Sequence, residues 1–209
     1  MVRNAARVNR GPEARWLPRE PGNARGQATY SRLALAALEV AERHGVEATT
    51  VDEICRVAGC SRRTFFHHYP TREAALLGSA VPTVSAEAMT RYLADDVPIL
   101  SGAIDLVDIP DEMSPSSPLG ARRLSLLRTS PQLQAAARER MTPAATAVLE
   151  AVSAKLAQLP TIDPDEVRPI ADVVTTIAAA LIQTAYGEGS NNPAQTLGRL
   201  APIWPQLVN

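Results

Sequence analysis

Apolar residues recur with helical spacing along most of the chain, and residues typical of turns separate these segments. The first helix is predicted from Thr29, and Gly45 follows it at a position that favours glycine after a helix. Its apolar face comprises Leu33, Ala37, Val40, Ala41 and His44. No segment alternates apolar and polar residues as a half-buried strand does, so the pattern indicates an all-α protein.

Two short helices separated by a tight turn follow the first helix. Thr50 and Glu53 have the spacing of a capping box, in which both side chains accept backbone N–H groups at a helix start. The turn contains Gly59, Ser61 is the predicted N-cap of the second short helix, and Pro70 ends that helix. This order of elements predicts a helix-turn-helix.

Beyond these elements the pattern predicts more helices, with breaks at prolines. One helix is predicted from Thr71 to about Asp95, and residues 108–118 are predicted to form a loop. Further helices are predicted at 119–128, 132–159, 166–186 and 193–208, with Pro143 kinking or splitting the second of these. The predicted organisation is an arm at 1–27, a three-helix domain at 28–77 and a second helical domain at 78–209.

The predicted arm is rich in proline, glycine and arginine. It carries six arginines against two glutamates, and its prolines and glycines interrupt every periodicity. One interpretation is a flexible, solvated tail; the other is an arm that reaches DNA phosphates or the minor groove.

Charge is distributed unevenly along the chain, although the formal net charge is only −1. Residues 1–80 hold 12 arginines and 8 acidic residues, whereas residues 81–209 hold 9 basic and 14 acidic residues. Such asymmetry favours a polyanionic partner for the first part. The sequence has no signal peptide and no uninterrupted apolar run of about 18 residues. With only Cys55 and Cys60 as cysteines, we expect a cytoplasmic protein without a disulfide framework.

The second short helix has the chemistry of a DNA-recognition helix. Phe65 and Tyr69 are four residues apart and can both face inward, and no acidic residue lies between Ser61 and Arg72. The remaining faces carry Arg62, Arg63, Thr64, His67 and His68. Arginine can hydrogen-bond guanine bidentately, and threonine offers a methyl group and a hydroxyl.

Residues 28–77 resemble the DNA-binding domain of the tetracycline-repressor-like (TetR/AcrR) family of transcription regulators. The resemblance lies in the stretches from Glu42 to Ile54 and from Ala58 to Ala74, where apolar positions, both caps, Gly59 and the Tyr-Pro exit agree in register. The resemblance implies a homodimeric regulator that binds a double-stranded DNA operator, and no cofactor.

The resemblance also implies which residues contact DNA: Thr50, Ser61, Arg62, Arg63, Thr64, Phe66, His67 and Arg72. Thr50, Ser61 and Arg72 are expected at phosphates, and the others on the recognition helix face the groove. Phe66 replaces the family's usual tyrosine, so a phosphate contact is lost there or replaced by apolar packing. Arg63 stands where relatives often have a small residue, so their target sequence cannot be transferred.

The C-terminal domain is expected to dimerise and to bind a ligand. Helix 166–186 is apolar around much of its girth, which favours an interface, although a monomer core is the alternative. The predicted interface residues are Val174, Ile177, Leu181, Leu200 and Trp204, and the candidate pocket residues are Met89, Tyr92, Met113, Leu126, Leu127 and Tyr186. Few charges are available inside this domain, so an apolar or neutral ligand is expected.

Two classes of function remain open on the sequence. The first is a repressor released from a palindromic operator by a small molecule. The second is a constitutive or protein-regulated DNA-binding module without an effector. An enzyme is not expected, because the chain has no nucleophile elbow and no glycine-rich phosphate loop. Neither a catalytic residue nor a metal site is predicted, since the adjacent His67 and His68 point about 100° apart on a helix.

Overall fold

The computed structural model describes residues 24–94, 96–187, 189 and 192–203. Ten α-helices occupy most of this part of the chain. They are α1 (Ala24–His44), α2 (Val51–Ala58), α3 (Arg62–His68), α4 (Arg72–Leu77), α5 (Ala86–Ala94), α6 (Ile99–Asp105), α7 (Pro118–Thr129), α8 (Pro131–Leu156), α9 (Pro164–Gly187) and α10 (Pro193–Leu200). The all-α prediction is confirmed, with a helix-turn-helix at the N-terminal side.

Helices α1 to α4 form the N-terminal unit, which we call the DNA-binding domain because the resemblance implies that role, and side-chain caps fix the starts of three of them. The hydroxyls of Thr50, Ser61 and Thr71 each accept the backbone N–H three residues later. The capping box is only half formed, because the Glu53 carboxylate pairs with Arg56 at 2.6 Å. Gly59 adopts a left-handed conformation (φ +62°) that ends α2.

The predicted helix from Thr71 to Asp95 is interrupted, and this prediction was wrong. Helix α4 ends at Gly78, whose φ of +89° a helix cannot contain. A two-residue strand, β1 (Thr83–Val84), follows α4 and precedes α5. It pairs antiparallel with β2 (Val107–Asp108), which follows α6. Two residues are too few for an alternating pattern, so the sequence gives no signal for this ribbon.

The C-terminal helices form a second helical unit, which we call the regulatory domain after the role expected for it, and in which α9 packs against α6, α8 and α10. Its core includes Tyr92, Val148, Val152, Leu156 and Leu181. Helix α8 continues through Pro143 as one element, so the proline does not split it. Residues 111–113, within the predicted loop, form a 3₁₀ turn that packs on α7.

The ends of the chain differ from the predicted boundaries. Helix α1 begins at Ala24, so residues 24–27 are its first turn and not part of an arm. Residues 1–23 of the predicted arm lie outside the described residues. The last predicted helix ends at Leu200 and continues as a 3₁₀ turn, Ala201–Ile203, while residues 204–209 lie outside the described range.

Among the described helices, residues 164–186 of α9 are long and apolar enough on average to cross a membrane. This segment is not an uninterrupted apolar run, because Asp172 and other polar residues such as Gln183 interrupt it. Asp172 pairs with Arg168 at 3.3 Å, and a core helix of a soluble protein meets the same average. Helix α9 contacts four neighbouring helices, α6, α7, α8 and α10, and 28% of this segment is buried.

Candidate functional site

Helix α3 is held by its buried side and presents polar side chains on the other. Phe65 and Tyr69 are fully buried, and the Tyr69 hydroxyl donates to the carbonyl of Tyr30 on α1 at 3.2 Å. The rings of Tyr30 and Tyr69 stack with centroids 4.7 Å apart. This anchoring leaves a surface, the α3 surface, formed by Arg63, Thr64, Phe66 and His67.

Arg62 and Arg63 have different surroundings on α3. Arg62 donates to both carboxylate oxygens of Asp52 on α2, at 2.8 and 2.9 Å, and its guanidinium lies 5.9 Å from the centre of the Phe66 ring. Arg63 is exposed beside Thr64 and His67. Phe66 is 49% exposed, which is unusual for a phenylalanine and leaves its ring available for apolar contacts.

The N-cap hydroxyls retain the capacity to bind phosphate. Thr50 accepts from the Glu53 amide at 3.2 Å, and Ser61 accepts from the Thr64 amide at 3.1 Å. A hydroxyl that accepts one hydrogen bond still has its own proton to donate. Both residues are exposed at helix N-termini, where the backbone favours anions.

Arg72 is engaged within the protein, contrary to its predicted phosphate contact. Its guanidinium donates to the carbonyls of Val46 and Thr49, at 3.2 and 2.8 Å, and to the carboxylate of Glu73 at 2.7 Å. Only 18% of its side chain is exposed. Arg72 therefore ties the start of α4 to the turn before α2, because its donors are directed to these partners.

His68, which the helix pattern placed outward, is buried. It is 6% exposed and packs edge-on against Tyr30, with ring centroids 6.4 Å apart. Burial lowers the pKa of His68, and the neighbouring His67 lowers it further. His68 therefore belongs to the core of the domain, and the exposed member of the histidine pair is His67.

The regulatory domain contains a cavity of about 380 Å³. Its lining residues are Pro82, Ile109, Met113, Leu124, Leu127, Arg128, Gln134, Ala137, Arg138, Met141, Ala145, Ala179, Ile182, Gln183 and Tyr186. Its walls are mostly apolar, while Arg128 and Arg138 are exposed at its edge and no lining residue is acidic. The expectation of an apolar or neutral ligand rested on the scarcity of charged residues in this domain and did not anticipate these two arginines at the cavity.

Three of the six candidate pocket residues line the cavity: Met113, Leu127 and Tyr186. The others pack elsewhere. Tyr92 is buried and its hydroxyl donates to the Ile99 carbonyl at 3.1 Å, Met89 packs on the same regulatory core, and Leu126 packs against the DNA-binding domain. Residue type gave no means of separating these sets, because the face each residue occupies depends on how α5, α7 and α9 pack.

The predicted interface residues that the structure describes are largely covered within a single copy of the chain, which leaves little of their surface available to a second copy. Leu181 is 4% exposed and belongs to the monomer core, where Val174, Ile177 and Leu200 are half-buried. Trp204 lies outside the described residues. The exposed stripe of α9, here called the α9 face, comprises Val173, Thr176, Ala180 and Thr184, and Val173 is 58% exposed.

The remaining candidate chemistry is limited to the two cysteines. Within the described ranges, no group of three or more His, Cys, Asp or Glu side chains could hold a metal ion. Cys55 is buried, and burial, with a smaller contribution from Cys60, raises the pKa of its thiol to about 11. A thiol with so high a pKa is a poor nucleophile at neutral pH.

Comparison with known proteins places this fold. Residues 34–77 match the family described as "Bacterial regulatory proteins, tetR family". A crystal structure of NalD, the secondary repressor of the MexAB-OprM multidrug efflux pump in Pseudomonas aeruginosa, superposes with a TM-score of 0.53 and 17% identity, covering 88% of this chain and 97% of NalD. A second NalD structure gives 0.53 and 20%, covering 86% and 96%.

The comparison with curated protein sequences gave no match. The matched residues 34–77 contain the N-caps of α2 and α3, the buried aromatic residues of α3 and the exposed α3 surface. The similarity to NalD extends the agreement in fold to the regulatory domain. Residues 34–77 therefore belong to the tetR family of bacterial regulatory proteins, and the described chain shares the fold of NalD.

Proposed function

We propose that this protein is a homodimeric repressor that binds a palindromic operator and is released by a small molecule. The observation that carries the proposal is the α3 surface, where Arg63, Thr64 and His67 are presented together while Phe65 and Tyr69 anchor the helix. A helix held in this way can enter the major groove with its polar side chains directed at base edges. NalD, which has a similar fold, is a repressor by its description, and this supports repression over activation.

The proposed dimer interface is the α9 face together with the end of α10. In the segment of α9 that is most apolar, only 28% of the residues are buried within one copy. Val173 and Ile203, two of the five large apolar residues that are exposed, lie on α9 and after α10. The short side chains of Thr176, Ala180 and Thr184 allow a helix from a second copy to approach closely. A two-fold dimer then matches a palindromic operator.

The proposed effector has an apolar body and an acidic group. The apolar walls of the cavity suit the body, and a volume of about 380 Å³ is in the range of small-molecule sites. Arg138 at the edge, on a lining without acidic residues, favours a carboxylate or similar anion there. Arg138→Gln is the variant that separates the contribution of charge from that of the apolar walls.

Selection of DNA by the full chain tests the proposed function. Random duplexes retained by the protein are sequenced, and an inverted repeat with two half-sites is expected from a symmetric dimer. Arg63→Ala serves as the matched variant, because it removes one exposed side chain of the α3 surface and leaves the anchors in place. Enrichment of a single half-site would argue against the dimeric arrangement, and no enrichment would argue against sequence-specific binding.

A thermal-shift comparison tests the effector. Decanoate and decanol share an apolar chain and differ in charge, so the proposal predicts a larger rise in melting temperature with decanoate. A ligand at 100 times its dissociation constant stabilises the folded state by about 2.7 kcal/mol. Equal shifts would exclude the acidic group. If neither these nor other apolar compounds raise the melting temperature or release DNA, a constitutive or protein-regulated module is the better description.

A further inference from the structure

A buried charged cluster joins the two domains behind the cavity. We call it the junction cluster; it consists of Tyr30, Ser79, Ala80, Glu112, Arg123 and Arg140. The Glu112 carboxylate accepts from the Ala80 amide at 2.6 Å and from the Tyr30 hydroxyl at 3.2 Å. The Tyr30 hydroxyl also hydrogen-bonds the Ser79 hydroxyl. Tyr30 belongs to α1 and Glu112 to the 3₁₀ turn of the regulatory domain, so these bonds cross between the domains.

Two arginines complete the junction cluster, and both are almost fully buried. Arg123 and Arg140 are each 3% exposed. Arg123 donates to the Glu112 carbonyl at 2.8 Å, and Arg140 donates to the Ala80 carbonyl at 2.5 Å. Glu112 lies within 3.5 Å of Arg123 and attracts Arg140 electrostatically. One carboxylate therefore offsets two buried positive charges, and its position is tightly constrained.

The junction cluster and the cavity share the same short segments of chain. Glu112 precedes the cavity residue Met113, Arg123 precedes Leu124, and Arg140 precedes Met141. Consecutive residues point about 100° apart in an α-helix and about 120° apart in a 3₁₀ turn, so each of these segments presents one side chain to the cluster and the next to the cavity. The segment after α4 repeats the arrangement, with Ala80 in the cluster and Pro82 on the cavity wall.

Two glycines hold the turn that carries Glu112 in place. A Cβ at Gly78 would lie 2.7 Å from Cδ of Glu112, and Gly78 has a φ of +89°. A Cβ at Gly120 would lie 2.0 Å from the Ser114 carbonyl oxygen, which follows the same turn. The turn is therefore packed on both sides, and a ligand that displaces Met113 cannot leave Glu112 unmoved.

We propose that the junction cluster, with Glu112 as its central positioning residue, couples occupation of the cavity to the orientation of the DNA-binding domain. The proposal rests on the proposed function, since it requires a DNA-binding protein with an effector cavity. A ligand that moves Met113 shifts Glu112, and the bonds to Tyr30 and Ala80 transmit this shift to α1 and to the end of α4. The free energy for this reorientation comes from the difference in ligand affinity between the two orientations of the DNA-binding domain.

A double-mutant experiment tests this coupling without an identified ligand. Ala145→Phe fills part of the cavity from α8 and serves as the probe of occupation; Ala145→Leu is the smaller substitute if the first variant does not fold. Tyr30→Phe removes the hydroxyl bonds to Glu112 and Ser79 while the ring keeps its stacking on Tyr69. Tyr92→Phe is the matched control, because it removes a buried hydroxyl bond inside the regulatory domain.

The readout is the affinity for the operator obtained by DNA selection. Filling the cavity is expected to weaken operator binding at least tenfold in the wild-type and Tyr92→Phe backgrounds, and less than threefold in the Tyr30→Phe background. An equal loss in all three backgrounds would overturn the role of the cluster. If cavity filling leaves affinity unchanged in every folded background, the coupling fails although DNA binding stands. Failure of the wild-type chain to select any DNA would instead refute the proposed function.

Discussion

The two domains use their apolar residues differently. Among the residues that the structure describes, ten apolar side chains are both large and fully buried, and eight of them belong to the core around α1 to α4. Only Val152 and Leu156 belong to the regulatory core. The regulatory domain instead contains the cavity and leaves the α9 face uncovered. The DNA-binding domain is thus packed to hold one shape, while the regulatory domain keeps apolar surface available to other molecules.

The largest expected effect compares a core residue of the first domain with a cavity residue of the second. Phe65→Ala should lower the free energy of unfolding by about 3–5 kcal/mol, because a fully buried ring is lost. Leu127→Ala should cost about 1 kcal/mol, because this half-buried side chain already borders a cavity. Urea unfolding measures both. Equal losses would show that the cavity wall at Leu127 is packed as tightly as the core around Phe65.

The second prediction concerns the α9 face. Val173→Glu should dissociate the proposed dimer, because an unpaired charge buried in an interface costs about 3–5 kcal/mol. Light scattering at a fixed protein concentration should then report the mass of one chain, while the circular dichroism spectrum should show an unchanged helix content. Leu159→Glu is the control. Leu159 is, like Val173, a large apolar residue that is exposed (39%), but it lies beyond the end of α8 and outside the α9 face. A dimeric Val173→Glu variant would place the interface elsewhere. Leu181 is unsuitable for this test because it lies in the monomer core.

The third prediction separates the two arginines of α3, Arg62 and Arg63. Arg63→Ala should cost about 1–3 kcal/mol on the selected operator and relax the preference at one base pair, because Arg63 is exposed toward the proposed groove. Arg62→Ala should weaken binding without relaxing preference, because Arg62 is held by Asp52. Selection on randomised half-sites measures both. If the two variants keep the wild-type preference, specificity resides in Thr64, His67 or DNA shape.

The smallest effect is a pH dependence of the DNA-binding domain. Burial lowers the pKa of His68 from its ordinary value of 6.5, so the folded state holds this side chain neutral. The unfolded state therefore binds more protons as the pH falls below 6.5, and stability is lost through this range. His68→Leu should make the urea midpoint less dependent on pH between 7 and 5. An unchanged slope would assign the pH dependence to other groups.

The elements predicted best were those with local signals. Thr50 and Ser61 were confirmed as N-caps and Gly59 as the turn glycine, because a cap depends on the residues within one turn of it. The break at Gly78 was missed, although a glycine after a helix is itself a local signal. Only the packing of Glu112 against Gly78, from 34 residues further along the chain, depends on tertiary structure. Arg72 and His68 were misplaced because of such tertiary packing. Their partners, Val46 and Tyr30, come from other elements.

The sequence by itself determined the helix-turn-helix, most of the later helices and the α3 surface, but not the break after α4 or helix α6. These follow from periodicity, caps and the contrast between Phe65 or Tyr69 and their polar neighbours, all of which act over a few residues. Tertiary structure decided which side of each regulatory helix faces the cavity, the core or solvent. It also brought Tyr30, Glu112, Arg123 and Arg140 together, because charges distant in sequence meet only once the domains have packed and excluded water between them.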